Sequence, residues 1–291
     1  VKLFGLVAVV MVAFAANSVL TRAGVSGGTD IVSFGALRLW SGALMLGLLC
    51  LWTRRRVAIM SKARVFAVPG LLFYIIGFTE AYVGMDSGLG ALLLFGTVQV
   101  TMFAGAAVLR ETMPALRLVG GLLALAGLVY LVWPWADIAD NLRNVAMMVL
   151  AGIGWGLYSL AGRGSRDALA DTAVNFVLAG LLFPGFVWLV SGGAPLGGLQ
   201  ADPMGVVLAL VSGAVTSGLG YALWYSVLPK LPAALAAVAQ LTVPPIAMAG
   251  GMLFLEEALT GKFLLASVVI LGGIALSVLG PAYLTKASKG S

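Results

Sequence analysis

Ten apolar stretches of roughly 20 residues, parted by short connections that hold nearly all the charge, decide what this chain can become. A helix needs about 20 apolar residues to cross the hydrocarbon core of a bilayer. In lipid every backbone N–H and C=O must find its partner within the protein, which leaves helices or closed barrels. The stretches run approximately 3–21, 30–52, 64–84, 87–109, 114–133, 144–162, 171–190, 204–227, 232–254 and 261–280. They predict an all-α membrane protein with ten transmembrane helices. Composition agrees: 61% hydrophobic and 10% charged, with mean hydropathy +1.08, is too few charges for a soluble surface. The 39 glycines suit close helix packing in lipid.

The first stretch has a competing reading, because Ala13-Phe14-Ala15 resembles a signal-peptidase site. The repeat described below requires it as a helix, so it is expected to be retained. The tail "LTKASKGS" is polar, and no soluble domain is expected. With the N-terminus inside, thirteen basic residues fall at cytoplasmic ends and three (Arg22, Arg143, Lys262) at outer ends. That asymmetry orients the chain with both termini in the cytoplasm. The net charge of +6 therefore reflects topology and does not point to nucleic acid. There is no histidine and one cysteine, Cys50, so a disulfide, a metal site or a cofactor is not expected. The stretch "SVLPKLPAA" reads as a tight cytoplasmic turn, with Pro229 and Pro232 stopping one helix and starting the next around Lys230.

Shifting the sequence by 146 residues aligns its halves without gaps from about 86 to 134. Met102 meets Met248, Gly105 meets Gly251, Glu111 meets Glu257 and Gly127 meets Gly273. The opening helices match more weakly at a shift of 141, pairing Ser18 with Ser159 and Arg22 with Arg163. Each half holds five spans. An odd number means that the second half enters the membrane from the opposite side, so the fold is expected to be two inverted five-helix repeats. In such transporters the substrate site lies near the bilayer midplane between the repeats.

The run "YALWYSVLPKLPAALAAVAQLTVPPIAMAGGMLFLEEALTGKFLLASVVILGGIAL", with its aromatics, Pro-x-x-Pro turn, "Q-L-x-x-P" and Glu pair, resembles the second repeat of the EamA family. That family lies in the drug/metabolite transporter superfamily. The first half carries a weaker version, "LRETMPALRLVGGLLALAGLVYL". "VPP" at 243–245 departs from the more usual single proline. Within the family the chain most resembles YddG-type exporters of aromatic and other hydrophobic amino acids. The resemblance implies repeats at 1–135 and 144–285, a bacterial inner-membrane location, a central cavity, alternating access and export. Partners are then the amino-acid substrate and the bilayer; the oligomeric state stays open, a monomer being compatible.

Helical periodicity picks out candidate lining residues. Tyr74, Phe78 and Tyr82 form one stripe on span three, and Tyr221 shares a face with Trp224 or Tyr225 on span eight. A cavity so lined would stack a flat or apolar side chain. Alternatively these rings pack the bundle, or, for Tyr82 and Tyr225, sit in an interfacial belt. Gln99, Gln240, Trp155, Tyr158 and Asn17 are further candidates, the amides because they can face either end of a zwitterion or else bond helix to helix. Pro244 and Pro245 suggest a hinge with exposed carbonyls. Arg38 and Glu80, the charges within spans, are expected to form a structural ion pair, with neutralisation of substrate charge as the other option. No nucleophile with its base is present, so an enzyme is disfavoured. The remaining readings are an amino-acid exporter, an exporter of another metabolite or drug, or a receptor-like or structural membrane protein.

Overall fold

The computed structural model describes residues 2–108, 114–132, 141–190, 200–227, 230, 239–240 and 242–287. Helices fill the predicted stretches: α1 (Lys2–Ser26), α2 (Ile31–Trp52), α3 (Arg64–Ala81), α4 (Ser87–Val108), α5 (Ala115–Val132), α6 (Leu142–Gly162) and α7 (Ala168–Val190). There follow α8 (Pro203–Val227), α9 (Val243–Leu255) and α10 (Gly261–Ala287). Eight of the described helices are long and apolar enough to cross a membrane, and α5 and α9 contribute shorter apolar stretches. The protein is an all-helical, ten-helix membrane protein.

Where helices begin, polar side chains answer the free N–H groups. Asp30 caps α2 by accepting from Val32 N and Ser33 N, and Asp202 caps α8 by accepting from Met204 N and Gly205 N. The α9 helix ends on Glu256, whose φ of 56° is left-handed; this throws Glu257 back towards the start of α4. Pro244 and Pro245 sit in the first turn of α9, where a missing N–H costs nothing. They therefore open this helix directly after the turn at Thr242. Arg110, Glu111, Pro229 and Pro232 lie outside the described residues.

The helices pack in related pairs. The α3–α6 contact has a counterpart in α8–α1, α4–α6 in α9–α1, and α2–α8 in α7–α3, while α2–α7, α4–α9 and α5–α10 pair with themselves under the same exchange. The pattern is that of swapping each helix for the one five places on. The α3–α6 crossing is close because glycine faces glycine: a Cβ on Gly70 would stand 2.7 Å from the Gly154 carbonyl. This crossing brings Tyr74 and Trp155 together at the centre of the molecule.

The two ends differ in chemistry. The connections 53–63 and 163–167 carry Arg54, Arg55, Arg56, Lys62, Arg163 and Arg166; we term this the arginine-rich end. The connections 27–30, 82–86 and 256–260 carry Asp30, Asp86, Glu256 and Glu257 and mark the acid-bearing end.

Candidate functional site

At the centre lies a cavity of only ≈ 10 Å³, about the room of one water, walled by Phe14, Asn17, Ser18, Tyr74, Phe78, Leu94, Phe95, Trp155 and Tyr221. Its floor is a hydrogen-bond network built around Arg38, which is fully buried. Arg38 Nη2 donates to the hydroxyls of Tyr74 (3.0 Å) and Tyr221 (2.9 Å), and Nε donates to Ser217 Oγ (2.9 Å). Its guanidinium also lies 5.1 Å from the Tyr74 ring and 5.0 Å from the Phe78 ring, within cation–π range. Arg38 Nη1 has no partner among the described residues.

Asn17 faces Arg38 across the two phenols. Its Nδ2 lies 3.1 Å from the Tyr74 oxygen and 3.3 Å from the Tyr221 oxygen, while Oδ1 accepts from Ser212 Oγ (2.6 Å) and Thr216 Oγ1 (3.0 Å). The short 2.6 Å contact belongs to an O–H donor meeting an oxygen, and the longer pair fits N–H donors, which fixes the amide as described. Each phenol oxygen thus accepts two N–H bonds. The two hydroxyls also hydrogen-bond to each other, so that of their two protons one remains to be given away. Ser212, Thr216 and Ser217 belong to a π-helical stretch of α8, Ser212–Leu219, a wide turn of the kind often found at functional sites.

From the cavity a chain of aromatic rings runs towards both ends. Towards the acid-bearing end, Tyr74 meets Phe78 at 4.9 Å and Phe78 meets Tyr82 edge-on at 4.7 Å. Towards the arginine-rich end, Trp155 stacks on Tyr158 at 5.6 Å, and Tyr158 on Tyr225 at 5.3 Å. Trp155 closes the middle, 5.1 Å from Tyr74 and 4.7 Å from Tyr221. Its indole N–H lacks a partner among the described residues.

The sequence candidates therefore separate into layers. Tyr74, Phe78, Trp155, Tyr221 and Asn17 form the cavity wall. Tyr82, Tyr158, Trp224 and Tyr225 stand one layer behind; Trp224 packs on Phe14 with ring centroids 5.8 Å apart. The interfacial-belt alternative for Tyr82 and Tyr225 is corrected, since both are buried. Gln99 and Gln240 are buried away from the wall, with Gln99 Nε2 and Gln240 Oε1 unpartnered among the described residues.

The expected Arg38–Glu80 ion pair is also corrected: Glu80 pairs with Arg143. The reason is helical geometry. Glu80 lies six residues beyond Tyr74 on α3, about 9 Å further along the axis and roughly 240° round it, so it cannot share Tyr74's partner. Phe14, Ser18, Leu94 and Phe95 were missed. Phe14 lies three residues before Asn17 and one helical turn before Ser18, which follows Asn17 directly; that spacing was the available signal. Ser212, Thr216 and Ser217 could have been found as hydroxyls clustered within a span.

Each end of the cavity is capped. At the acid-bearing end the Glu257 carboxylate accepts from Ser87 N (2.8 Å) and Ser87 Oγ (2.6 Å), and Arg22 Nη1 donates to the Tyr82 and Val83 carbonyls (2.8 Å each). At the arginine-rich end the Tyr225 hydroxyl donates to the Tyr158 carbonyl at 2.8 Å. The clefts beyond these caps share no lining residue with the central cavity.

Comparison with known proteins gives a consistent picture. The profile of the "EamA-like transporter family" matches residues 142–279. An uncharacterized protein of Pseudomonas aeruginosa is 46% identical over 272 residues, covering 93% of this chain and 92% of its own length. A "Probable amino-acid metabolite efflux pump" of Escherichia coli is 27% identical over 74% of this chain and 73% of its own. The threonine/homoserine exporter RhtA of Escherichia coli is 30% identical over 54% of this chain and 52% of its own. A solved crystal structure with 17% identity covers 94% of this chain and 98% of its own at a TM-score of 0.64, a likeness of fold.

Proposed function

This chain belongs to the EamA-like transporter family, and on that premise we propose that it exports amino acids with aromatic or apolar side chains through the central cavity. It is a transporter, not an enzyme. The observation that carries the reading is the pair of phenols at the cavity floor. Arg38 and Asn17 donate to Tyr74 and Tyr221 and the two hydroxyls bond to each other, so one phenol O–H and the Trp155 N–H are left for a carboxylate, with the Arg38 charge behind them. Around that floor, Phe14, Phe78, Phe95 and Trp155 offer ring faces to a flat or apolar side chain; burying one such group is worth roughly 1.5–3 kcal/mol. The relatives named for amino-acid efflux support the substrate class.

Alternating access between two inverted five-helix repeats is the movement that fits. The principal packing pairs, which map onto one another when helix n is exchanged for helix n+5, support that symmetry. At ≈ 10 Å³ the cavity is far smaller than the roughly 300–1,000 Å³ of typical ligand pockets and is capped at both ends, so the rings around it must part to admit an amino acid. We place the arginine-rich end and both termini in the cytoplasm of a bacterial inner membrane, following the distribution of positive charge. With no histidine, and with the buried Glu80 held by Arg143, transport is expected to run down the substrate gradient without protons.

Counterflow of labelled phenylalanine and alanine into liposomes containing only this protein tests the reading. Tyr221→Phe removes one charge-assisted donor, worth about 1.5–3 kcal/mol, so KM for both substrates is expected to rise roughly 10- to 150-fold. Trp155→Ala is expected to weaken phenylalanine transport far more than alanine transport. Unchanged KM in Tyr221→Phe, or equal loss of both substrates in correctly folded Trp155→Ala, would reject the assignment.

A further inference from the structure

A second cleft, ≈ 90 Å³, opens at the arginine-rich end beyond the Tyr158–Tyr225 layer. Arg64, Asp171, Asn175 and Tyr225 line it, with Ala67 and Gly162 among the small residues that leave it room. Arg64 is only 8% exposed. Its Nη2 donates to Asp171 Oδ1 at 2.8 Å, and Ser165 Oγ donates to Asp171 Oδ2 at 2.5 Å. Yet Arg64 Nε and Nη1 have no partner among the described residues, and neither has Oδ1 of Asn175, which is 3% exposed.

That leaves an unusual balance of groups. Nε carries one N–H and Nη1 two, so three cationic donors are buried without an acceptor. Such groups are costly unless something answers them. Asp171 neutralises the Arg64 charge but takes a single N–H. The wall is thus neutral as a whole, with unanswered donors on Arg64 and open acceptor capacity on Asp171 and Asn175. A lone anion or a lone cation would upset that balance, whereas a zwitterion would complete it.

We infer that this cleft is a second amino-acid site, in which Arg64 takes the α-carboxylate, Asp171 and Asn175 take the α-ammonium, and the side chain lies against the Tyr225 ring. Its place at the cytoplasmic entrance rests on the transport reading above; its binding chemistry rests on the cleft alone. Substrate seated there would stand next to the ring pair that must part before it can reach the central cavity.

The test is equilibrium binding of radiolabelled L-phenylalanine to the full chain in nanodiscs. Two equivalents per chain are expected. Arg64→Lys keeps the charge but loses the planar donors, and is expected to weaken one equivalent at least 10-fold while the other persists. Asn175→Leu, which leaves the Arg64–Asp171 pair intact, should weaken the same equivalent, and Trp155→Ala the other one. Phenethylamine and 3-phenylpropanoate, each lacking one charged end, should compete at the Arg64 site at least 10-fold less well than phenylalanine. A single equivalent untouched by both Arg64→Lys and Asn175→Leu would overturn the inference, as would 3-phenylpropanoate competing equally well. Loss of thermal stability in Arg64→Lys with both equivalents retained would reduce Arg64 to a structural partner and also overturn it. Two equivalents that Trp155→Ala leaves intact would count against the central-cavity reading instead.

Discussion

The two caps of the central cavity do the same job with opposite chemistry. At the acid-bearing end, closure depends on charge: a buried carboxylate, Glu257, holds the first residue of α4, and Arg22 ties down the chain after α3. At the arginine-rich end, closure depends on stacked rings, with a single hydroxyl bond between Tyr225 and the Tyr158 backbone. A hydrogen-bonded cap loses much when one partner goes, because the remaining groups are buried and unanswered. A stacked cap loses less from one polar deletion but is sensitive to shape. The contrast teaches that opening each end should be governed by a different kind of substitution.

The largest effect is expected from Glu257→Ala. It strands the Ser87 N–H and removes one of the two carboxylates that stand 4.0 Å from Arg22, the other being Asp86. A loss of about 3 kcal/mol is expected, read by thermal unfolding in detergent. In a Cys50→Ala, Leu94→Cys background, a membrane-impermeant thiol reagent should label the cavity faster from the acid-bearing side. Stability within 0.5 kcal/mol (roughly the scale of an ordinary surface change) would show that the polar cap is not what closes this end.

At the other cap the sharpest probe is steric. A Cβ on Gly162 would overlap the Tyr225 ring, so Gly162→Ala should push that ring off Tyr158 at a cost of about 1–3 kcal/mol. Labelling of the same cysteine should accelerate from the arginine-rich side only. Tyr225→Phe keeps the ring and removes one neutral bond, and should cost about 0.5–1.5 kcal/mol. If Tyr225→Phe opened this end more than Gly162→Ala, the stacked-cap description would be wrong.

Much of this arrangement was legible in the sequence. The i, i+4, i+8 spacing of Tyr74, Phe78 and Tyr82 put three rings on one face of α3, and the structure uses them as a continuous chain. Apolar length placed most helices within a few residues, but α9 begins at Val243 where the stretch begins at 232, with 231–238 outside the described residues, and α10 runs on to Ala287. What periodicity could not give was the partner of Arg38. Its hydroxyl acceptors on α8 lie 179 and 183 residues away in sequence and meet it because of the α2–α8 packing. Nor could it show that Gln99 and Gln240 face away from the cavity, since one polar residue in an apolar helix gives no direction. The π-helical stretch Ser212–Leu219 rotates the residues that follow it relative to those before it, a shift that ideal periodicity does not anticipate.

The smallest expected effect concerns pH, and it too divides the ends. Outside the spans, Asp202 accepts from Thr29 Oγ1 (2.7 Å), Met204 N (3.1 Å) and Gly205 N (3.2 Å), which hold its carboxyl below the usual carboxylate range. A depressed acid stabilises the fold fully above its unfolded pKa, near 3.9. That contribution fades as pH falls through the lower folded value. Asp202→Asn keeps an acceptor at the helix start and removes the charge, so its unfolding midpoint should sit slightly below that of the wild type at pH 7. The gap should hold down to about pH 4 and close below it, because the wild-type carboxyl is then protonated as well. The Tyr158–Tyr225 contact is made by neutral rings and a backbone carbonyl, so cysteine labelling from the arginine-rich side should stay constant over that range. A gap that widened on acidification would carry the opposite sign, and would mean that the charge of Asp202 opposes the local fold.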